Sequence, residues 1–179
     1  MEKRTNSLEE EINFISELFI EKSKNKEILI VSHFDTDGIS SAAIMIQSLK
    51  ELDKRFSVKI VKSLEEDFIY SLPKEKIILF LDLGSGILSY LKKAELKDVF
   101  IIDHHEIFQS IPPELNIINP QLNGKEEISS SSLVYLFCKQ LNEENKELAK
   151  LAILGMIGDS MEKSIDKLHN LIISAGELL

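Results

Sequence analysis

The 179 residues suit one domain with a real core, and 44% hydrophobic with 28% charged content is ordinary for a folded globular chain. A formal net charge of −9 argues against a broad nucleic-acid face, which needs clustered Lys and Arg. The single cysteine, Cys138, excludes an internal disulfide, no apolar run approaches membrane length, and Met1–Arg4 does not lead into a signal-peptide core. A reducing, cytoplasmic setting is expected, with Cys138 in the core.

Leu8 to Ser23 places Leu8, Ile12, Phe14, Ile15, Leu18 and Phe19 at helical spacing, with Ser7 as cap. A strand is expected near 27–32, a helix from about Ile39 to Leu52, and strands over about 56–61, 77–81 and 99–102. A fifth short strand, Asn116–Ile118, stops at Asn119-Pro120 because proline cannot continue a ladder. Ser129–Ser132 suits a helix start, followed by helical segments over about 131–141 and 145–157 and a last helix over about 161–178. No repeat or linker interrupts residues 1–179. Continuously apolar strands alternating with helices predict an α/β fold: a three-layer open sheet of about five parallel strands with helices on both faces.

Three of these strands run directly into hard ligands. Ile28–Ser32 is followed by His33-Phe34-Asp35-Thr36-Asp37-Gly38, Ile77–Leu81 by Asp82-Leu83-Gly84, and Val99–Ile102 by Asp103-His104-His105. Taken alone, Asp-x-Asp-Gly is usually a turn. The repetition of one chemistry at three strand ends, with three of the chain's four histidines spent there, describes a metal site instead. Right-handed crossovers bring loops that follow parallel strands to one sheet edge, where α/β sheets bind ligands.

Carboxylates crowded in this way repel one another unless cations compensate. Mixed imidazole and carboxylate donors suit Mn²⁺, Fe²⁺, Co²⁺, Zn²⁺ or, less well, Mg²⁺, and the number of donors exceeds what one ion needs. Two ions sharing a bridge can activate a water and clamp a phosphoryl group. Asp159, at the end of Leu151–Gly158, is a further candidate, and Gly155 and Gly158 beside it allow close backbone approach.

His33-Phe34-Asp35-Thr36-Asp37-Gly38, Leu81-Asp82-Leu83-Gly84, Asp103-His104-His105 and Gly155-Met156-Ile157-Gly158-Asp159 resemble the four ordered motifs of the DHH phosphoesterases, in their RecJ-like, archaeal-type branch. The match spans about residues 28 to 160. The spacing His33-x-Asp35-x-Asp37 is unlike the wider first motif of the inorganic pyrophosphatase branch. The resemblance implies a five-stranded parallel sheet and two divalent ions, Mn²⁺ first, with Mg²⁺, Co²⁺ or Zn²⁺ as alternatives. It implies one ion on His33, Asp35 and Asp82, and another on Asp37, Asp82, His104 and Asp159, with Asp82 bridging. His105 would meet the scissile phosphate and Asp103 would orient the imidazoles, so that His105, Asp82 and Asp103 carry the catalysis. Residues 1–179 would form the N-terminal DHH domain, with the family's C-terminal substrate-binding domain absent from this chain.

The function expected is a metal-dependent, exonuclease-like phosphodiesterase acting on single-stranded nucleic acid or short oligonucleotides. The acidic charge keeps open a small-nucleotide phosphoesterase acting on a nucleoside bisphosphate or a cyclic dinucleotide. A non-catalytic replication scaffold is the third reading, although every ligand position is filled. The partners expected are a nucleic-acid or nucleotide substrate and a C-terminal domain or replication or repair protein, with no membrane. Ser40 and Ser41 read as helix caps or phosphate contacts, Asn119 and Ser129–Ser132 as loop and cap residues first and as residues approaching the cleft second, and His169 as a surface or packing residue.

Overall fold

The computed structural model describes residues 7–124, 127–161, 165 and 167–177. Helix α1 (Leu8–Lys22) opens at Ser7, whose hydroxyl accepts the Glu10 N–H at 3.2 Å, as its spacing predicts. Strands β1 (Ile28–His33), β2 (Phe56–Val61), β3 (Ile77–Leu81), β4 (Asp98–Ile102) and β5 (Asn116–Ile118) form one five-stranded sheet in the order β2-β1-β3-β4-β5. All four pairings are parallel. No helix among the described residues is long and apolar enough to cross a membrane.

Continuous burial of β3 and β4 follows from cover on both faces. One face sets Ile28, Ile30, Leu79, Phe100 and Ile118 against α1, α2 (Thr36–Glu51), α5 (Ser130–Leu141) and α6 (Ala149–Gly158). Phe19 of α1 is its keystone, meeting Phe100 edge-on at 5.2 Å and Phe137 at 5.5 Å between centroids. Burying one such ring contributes roughly 1.5–3 kcal/mol. The other face sets Leu29, Val31, Phe80 and Ile101 against α3 (Glu66–Tyr70) and α4 (Leu88–Lys93).

Several boundaries differ from expectation. α2 begins at Thr36, three residues before Ile39, because the Asp35 carboxylate caps it by accepting the Gly38 N–H at 2.9 Å. Asp37 therefore sits in a helical first turn, not a loop. Ser40 and Ser41 are buried, leaving them no cap or substrate role at the surface. α3 and α4, of 5 and 6 residues, are too short to declare a periodicity. The segment expected as helix 145–157 divides into a 3₁₀ turn, Glu143–Leu148, and α6. The last helix is described as α7 (Lys167–Glu177), while residues 162–164, 166, 178 and 179 of its expected neighbourhood lie outside the described residues. His169 on α7 is buried, so of its two expected roles the packing one holds.

Close approach of α6 to α2 and α5 depends on glycine. A Cβ at Gly155 would fall 2.0 Å from Ser131 Oγ and 2.5 Å from Asp37 Oδ1, both fixed in the interior. Gly155→Ala is therefore expected to cost about 1–3 kcal/mol by overpacking. Gly86→Ala, whose Cβ would meet nothing within 4 Å, should stay within about 0.5 kcal/mol. Urea unfolding of the two variants checks this difference, and equal midpoints would contradict it.

Candidate metal centre

Register assembles the centre. Ser32 of β1 lies beside Leu81 of β3, Leu81 beside Ile102 of β4, and Ile102 beside Ile118 of β5. One step further along each strand comes a polar row: His33, Asp82, Asp103 and Asn119. The ladder continues into that row, with the Asp82 N–H donating to Ile102 O at 2.9 Å and the Asp103 N–H to Ile118 O at 3.1 Å. β1 and β3 flank the point where strand order reverses, the usual ligand crevice of such a sheet.

Donor atoms converge there in three overlapping groups, each with its atoms within 4.8 Å of one another: His33, Asp35 and Asp82; Asp37, His104 and Asp159; and Asp82, His104 and His105. Asp82 looks both ways. Its Oδ2 lies 3.4 Å from His33 Nδ1 and its Oδ1 3.6 Å from His104 Nε2. His104 Nε2 is also 3.3 Å from Asp159 Oδ2, and His33 Nδ1 is 2.7 Å from Asp35 Oδ2. Through Asp82 and His104 the three groups join His33, Asp35, Asp37, Asp82, His104, His105 and Asp159 in one cluster, and Asp103 adjoins it through His105.

Asp82 is held under strain. Its φ of 59° is left-handed, a conformation that costs a non-glycine residue of order 1 kcal/mol and persists where the surroundings impose it. The chain then turns at Gly84, with φ of 122°, where a Cβ would press on Ile101 at 3.0 Å. Both Asp82 oxygens, His33 Nδ1 and Asp159 Oδ2 are buried without a hydrogen-bond partner, since the short His33–Asp35 separation lacks hydrogen-bond alignment. Buried polar atoms are normally satisfied. Four orphans aimed at one space, in a mixed imidazole and carboxylate set, fit a divalent cation.

Electrostatics agree. Burial, then the charge of Asp37, pushes the Asp82 carboxyl up to about 10. Burial followed by Asp37 and Asp35 raises Asp159 to about 7. Burial also lowers His104, favouring the neutral imidazole that a metal requires. Asp35 stays below the usual carboxylate range: burial opposes ionisation, but the Gly38 N–H and His33 outweigh it.

Asp37 is anchored from far along the chain. Its Oδ2 accepts the Ser130 N–H at 2.7 Å and its Oδ1 the Ser131 N–H at 3.0 Å, at the start of α5. A helix N-terminus stabilises such an anion through free N–H groups and its dipole. Of the two roles expected for Ser129–Ser132, Ser129 fills the capping one, while Ser130 and Ser131 fill the other by reaching the cleft. The grip of the next two N–H groups has no side-chain pattern by which to find it.

His105 is set apart from His104. Its Nδ1 lies 2.7 Å from Asp103 Oδ1, and this hydrogen bond raises the His105 pKa. Burial opposes ionisation of Asp103, yet His105 and the Ser85 N–H, at 2.8 Å, hold its carboxyl below the usual range. Asp103 was expected to orient both imidazoles, but its hydrogen bonds go to His105 and Ser85. Asn119 is more than a loop residue: its Nδ2 donates to His105 O at 2.9 Å and to Ser85 Oγ at 3.0 Å.

Residues 27–157 match the DHH family, N-terminal domain. An uncharacterized protein of Methanocaldococcus jannaschii is 33% identical over 159 residues, which cover 82% of this chain and 36% of that protein. The single-stranded-DNA-specific exonuclease RecJ of Bacillus subtilis is 26% identical over 152 residues, covering 76% of this chain and 19% of RecJ. The crystal structure of exonuclease RecJ bound to manganese superimposes with a TM-score of 0.75 at 19% identity, covering 97% of this chain and 48% of that one, a likeness of fold. The chain spans about a third or less of the length of these curated relatives.

The Asp82 carboxyl, at about 10, keeps a proton in the metal-free fold that an unfolded Asp loses near pH 4. Stability of the metal-free protein should therefore fall as pH rises through that window. At pH 7 a divalent cation entering the centre must expel this proton, plus part of one from Asp159. Calorimetric titration with Mn²⁺ in buffers of different ionisation enthalpy should show release of about one proton or slightly more. A binding enthalpy independent of buffer would contradict the burial of Asp82 beside Asp37.

Proposed function

The chain belongs to the DHH family, and on that footing we propose that it is a metal-dependent phosphoesterase that hydrolyses phosphodiesters of single-stranded nucleic acid or short oligonucleotides. The observation that carries this reading is the set of buried, unpartnered donor atoms on Asp82, His33 and Asp159 at the sheet's switch point. His33, Asp35 and Asp82 would hold one divalent ion and Asp37, Asp82, His104 and Asp159 a second, with Mn²⁺ the ion of choice and Asp82 shared. Such a pair supplies an activated water and neutralises charge that builds on phosphoryl oxygens.

This chain's residues do the rest. Asp103 fixes the His105 ring through Nδ1 and favours its protonated form, so Nε2 is the atom left to present a proton to a phosphoryl oxygen. Asn119 holds the His105 backbone in place, so the ring's position is set at both ends. Asp35, besides serving as a ligand, starts α2 and thereby aims Asp37 into the centre. The net charge of −9 favours, as a second reading, a small nucleotide that needs no basic groove. Comparing Mn²⁺-dependent cleavage of pentathymidylate with that of nucleoside bisphosphates and cyclic dinucleotides separates the two.

His105→Ala is expected to retain the full complement of metal and lose roughly 100-fold or more in hydrolysis of bis(p-nitrophenyl) phosphate. His104→Ala should instead lose about one equivalent of bound metal. Metal analysis of the gel-filtered proteins, alongside the rates, makes the comparison. Loss of metal in His105→Ala but not in His104→Ala would reverse the two roles. Absence of metal-stimulated hydrolysis by the unaltered chain on every phosphodiester tried would overturn the proposal.

A further inference from the structure

Beyond His105 the chain presents an aromatic ring that the metal centre leaves unused. Phe108 is 82% exposed, the most exposed of the large hydrophobic side chains among the described residues. It is pinned outward, since both its neighbours are anchored. Ile107 packs into the apolar cluster beneath β4 and β5. The Gln109 amide is bonded at both ends, accepting the Ser89 N–H at 2.8 Å and donating to Gly86 O at 2.9 Å.

Beside the ring lies a cavity of about 540 Å³, walled by Glu106, Ile107, Phe108, Gln109, Gln121 and Leu122 among others. Its floor is tied to the histidine pair. Gln121 Nε2 donates to His104 O at 3.5 Å, and its N–H to Asn119 Oδ1 at 3.0 Å, while Asn119 holds His105 O. A ring face, three aliphatic side chains and two amides suit a flat heterocycle with a hydrogen-bonding edge. The charged residue of its lining is Glu106, and no Lys or Arg lines it, so it repels a phosphate and admits a base. An adjoining cavity of about 630 Å³ shares Gln109, Ser110 and Ile111 with the first and contains Lys92, a cation for the next phosphate.

We infer that the loop from Glu106 to Pro113 is a nucleobase subsite, in which the base beside the scissile phosphate stacks on Phe108 and the following phosphate meets Lys92. The inference rests on the phosphoesterase reading of the metal centre and adds that the substrate is a strand of at least two nucleotides. A stacking platform is indifferent to base identity, so the subsite selects for bases, not for a sequence.

Anisotropy of a fluorescein-labelled, hydrolysis-resistant phosphorothioate pentathymidylate in Mn²⁺ tests it without catalysis. Phe108→Ala should weaken binding roughly tenfold, Phe108→Trp should match or exceed the unaltered chain, and Phe14→Ala, at a half-exposed ring on α1, should change nothing. An abasic strand of the same length should bind the unaltered chain about as weakly as Phe108→Ala binds the normal one, and should not distinguish the two proteins. Melting curves followed by circular dichroism check that Phe108→Ala is folded, and Phe108→Leu repeats the loss of stacking with a bulky aliphatic if it is not. Equal affinity of Phe108→Ala and the unaltered chain, an equal gap between them on the abasic strand, or no binding of the normal strand at all would overturn the subsite. Hydrolysis of bis(p-nitrophenyl) phosphate by the unaltered chain is scored separately, so failure of the phosphoesterase reading is distinguishable from failure of the subsite.

Discussion

Mutual repulsion of buried carboxylates at the carboxyl edge of the sheet is the constraint to which the surrounding structure answers. The opposite edge shows the usual solution. There Asp98, at the start of β4, is clasped by Lys22 at 2.6 Å and by Lys26, and the two lysines outweigh burial to hold its pKa down. Among the described residues, the ion-pair partners of Asp35, Asp82, Asp103 and Asp159 are histidines alone. An isolated buried carboxylate is costly and takes up a proton in compensation, as Asp82 does. In the proposed centre divalent cations take over from those protons.

The fold then has to hold the unfavourable arrangement in register. Parallel pairing aligns His33, Asp82, Asp103 and Asn119 across the sheet, and Asp82 holds its place in that row with a left-handed backbone. The start of α5 carries the negative charge of Asp37, and Gly155 lets α6 come close enough to deliver Asp159. Apolar packing around Phe19 and on the α3 and α4 side offsets the strain. A conformational cost stored at a site and balanced by the surrounding core is typical of functional positions.

Much of this was legible beforehand. Strand positions followed from apolar runs bounded by polar residues, and the convergence of His33, Asp35, Asp37, Asp82, Asp103, His104 and His105 followed from crossover handedness, whereas Asp159, at the end of a helix, joined them only through the family resemblance. What escaped was set by contacts distant in sequence or by backbone groups. The early start of α2 depends on the Asp35 carboxylate choosing the Gly38 N–H over other partners. Ser130 and Ser131 reach Asp37 across more than 90 residues through main-chain N–H groups, whatever their side chains. The pairing of Asp103 with His105, and not with His104, is a choice of rotamer between adjacent residues. Phe108 gave no signal either, because an exposed aromatic in a loop reads like any other until its neighbours are seen to be anchored.

Whether Asp82 joins two ions is the question on which the account turns, and electron paramagnetic resonance of the Mn²⁺-loaded protein answers it most directly. The unaltered chain should give the spectrum of an exchange-coupled Mn²⁺ pair, and Asp82→Ala should give at most isolated, uncoupled Mn²⁺. A coupled pair that persists in Asp82→Ala, or only isolated Mn²⁺ in the fully loaded unaltered protein, would contradict a carboxylate shared between two ions.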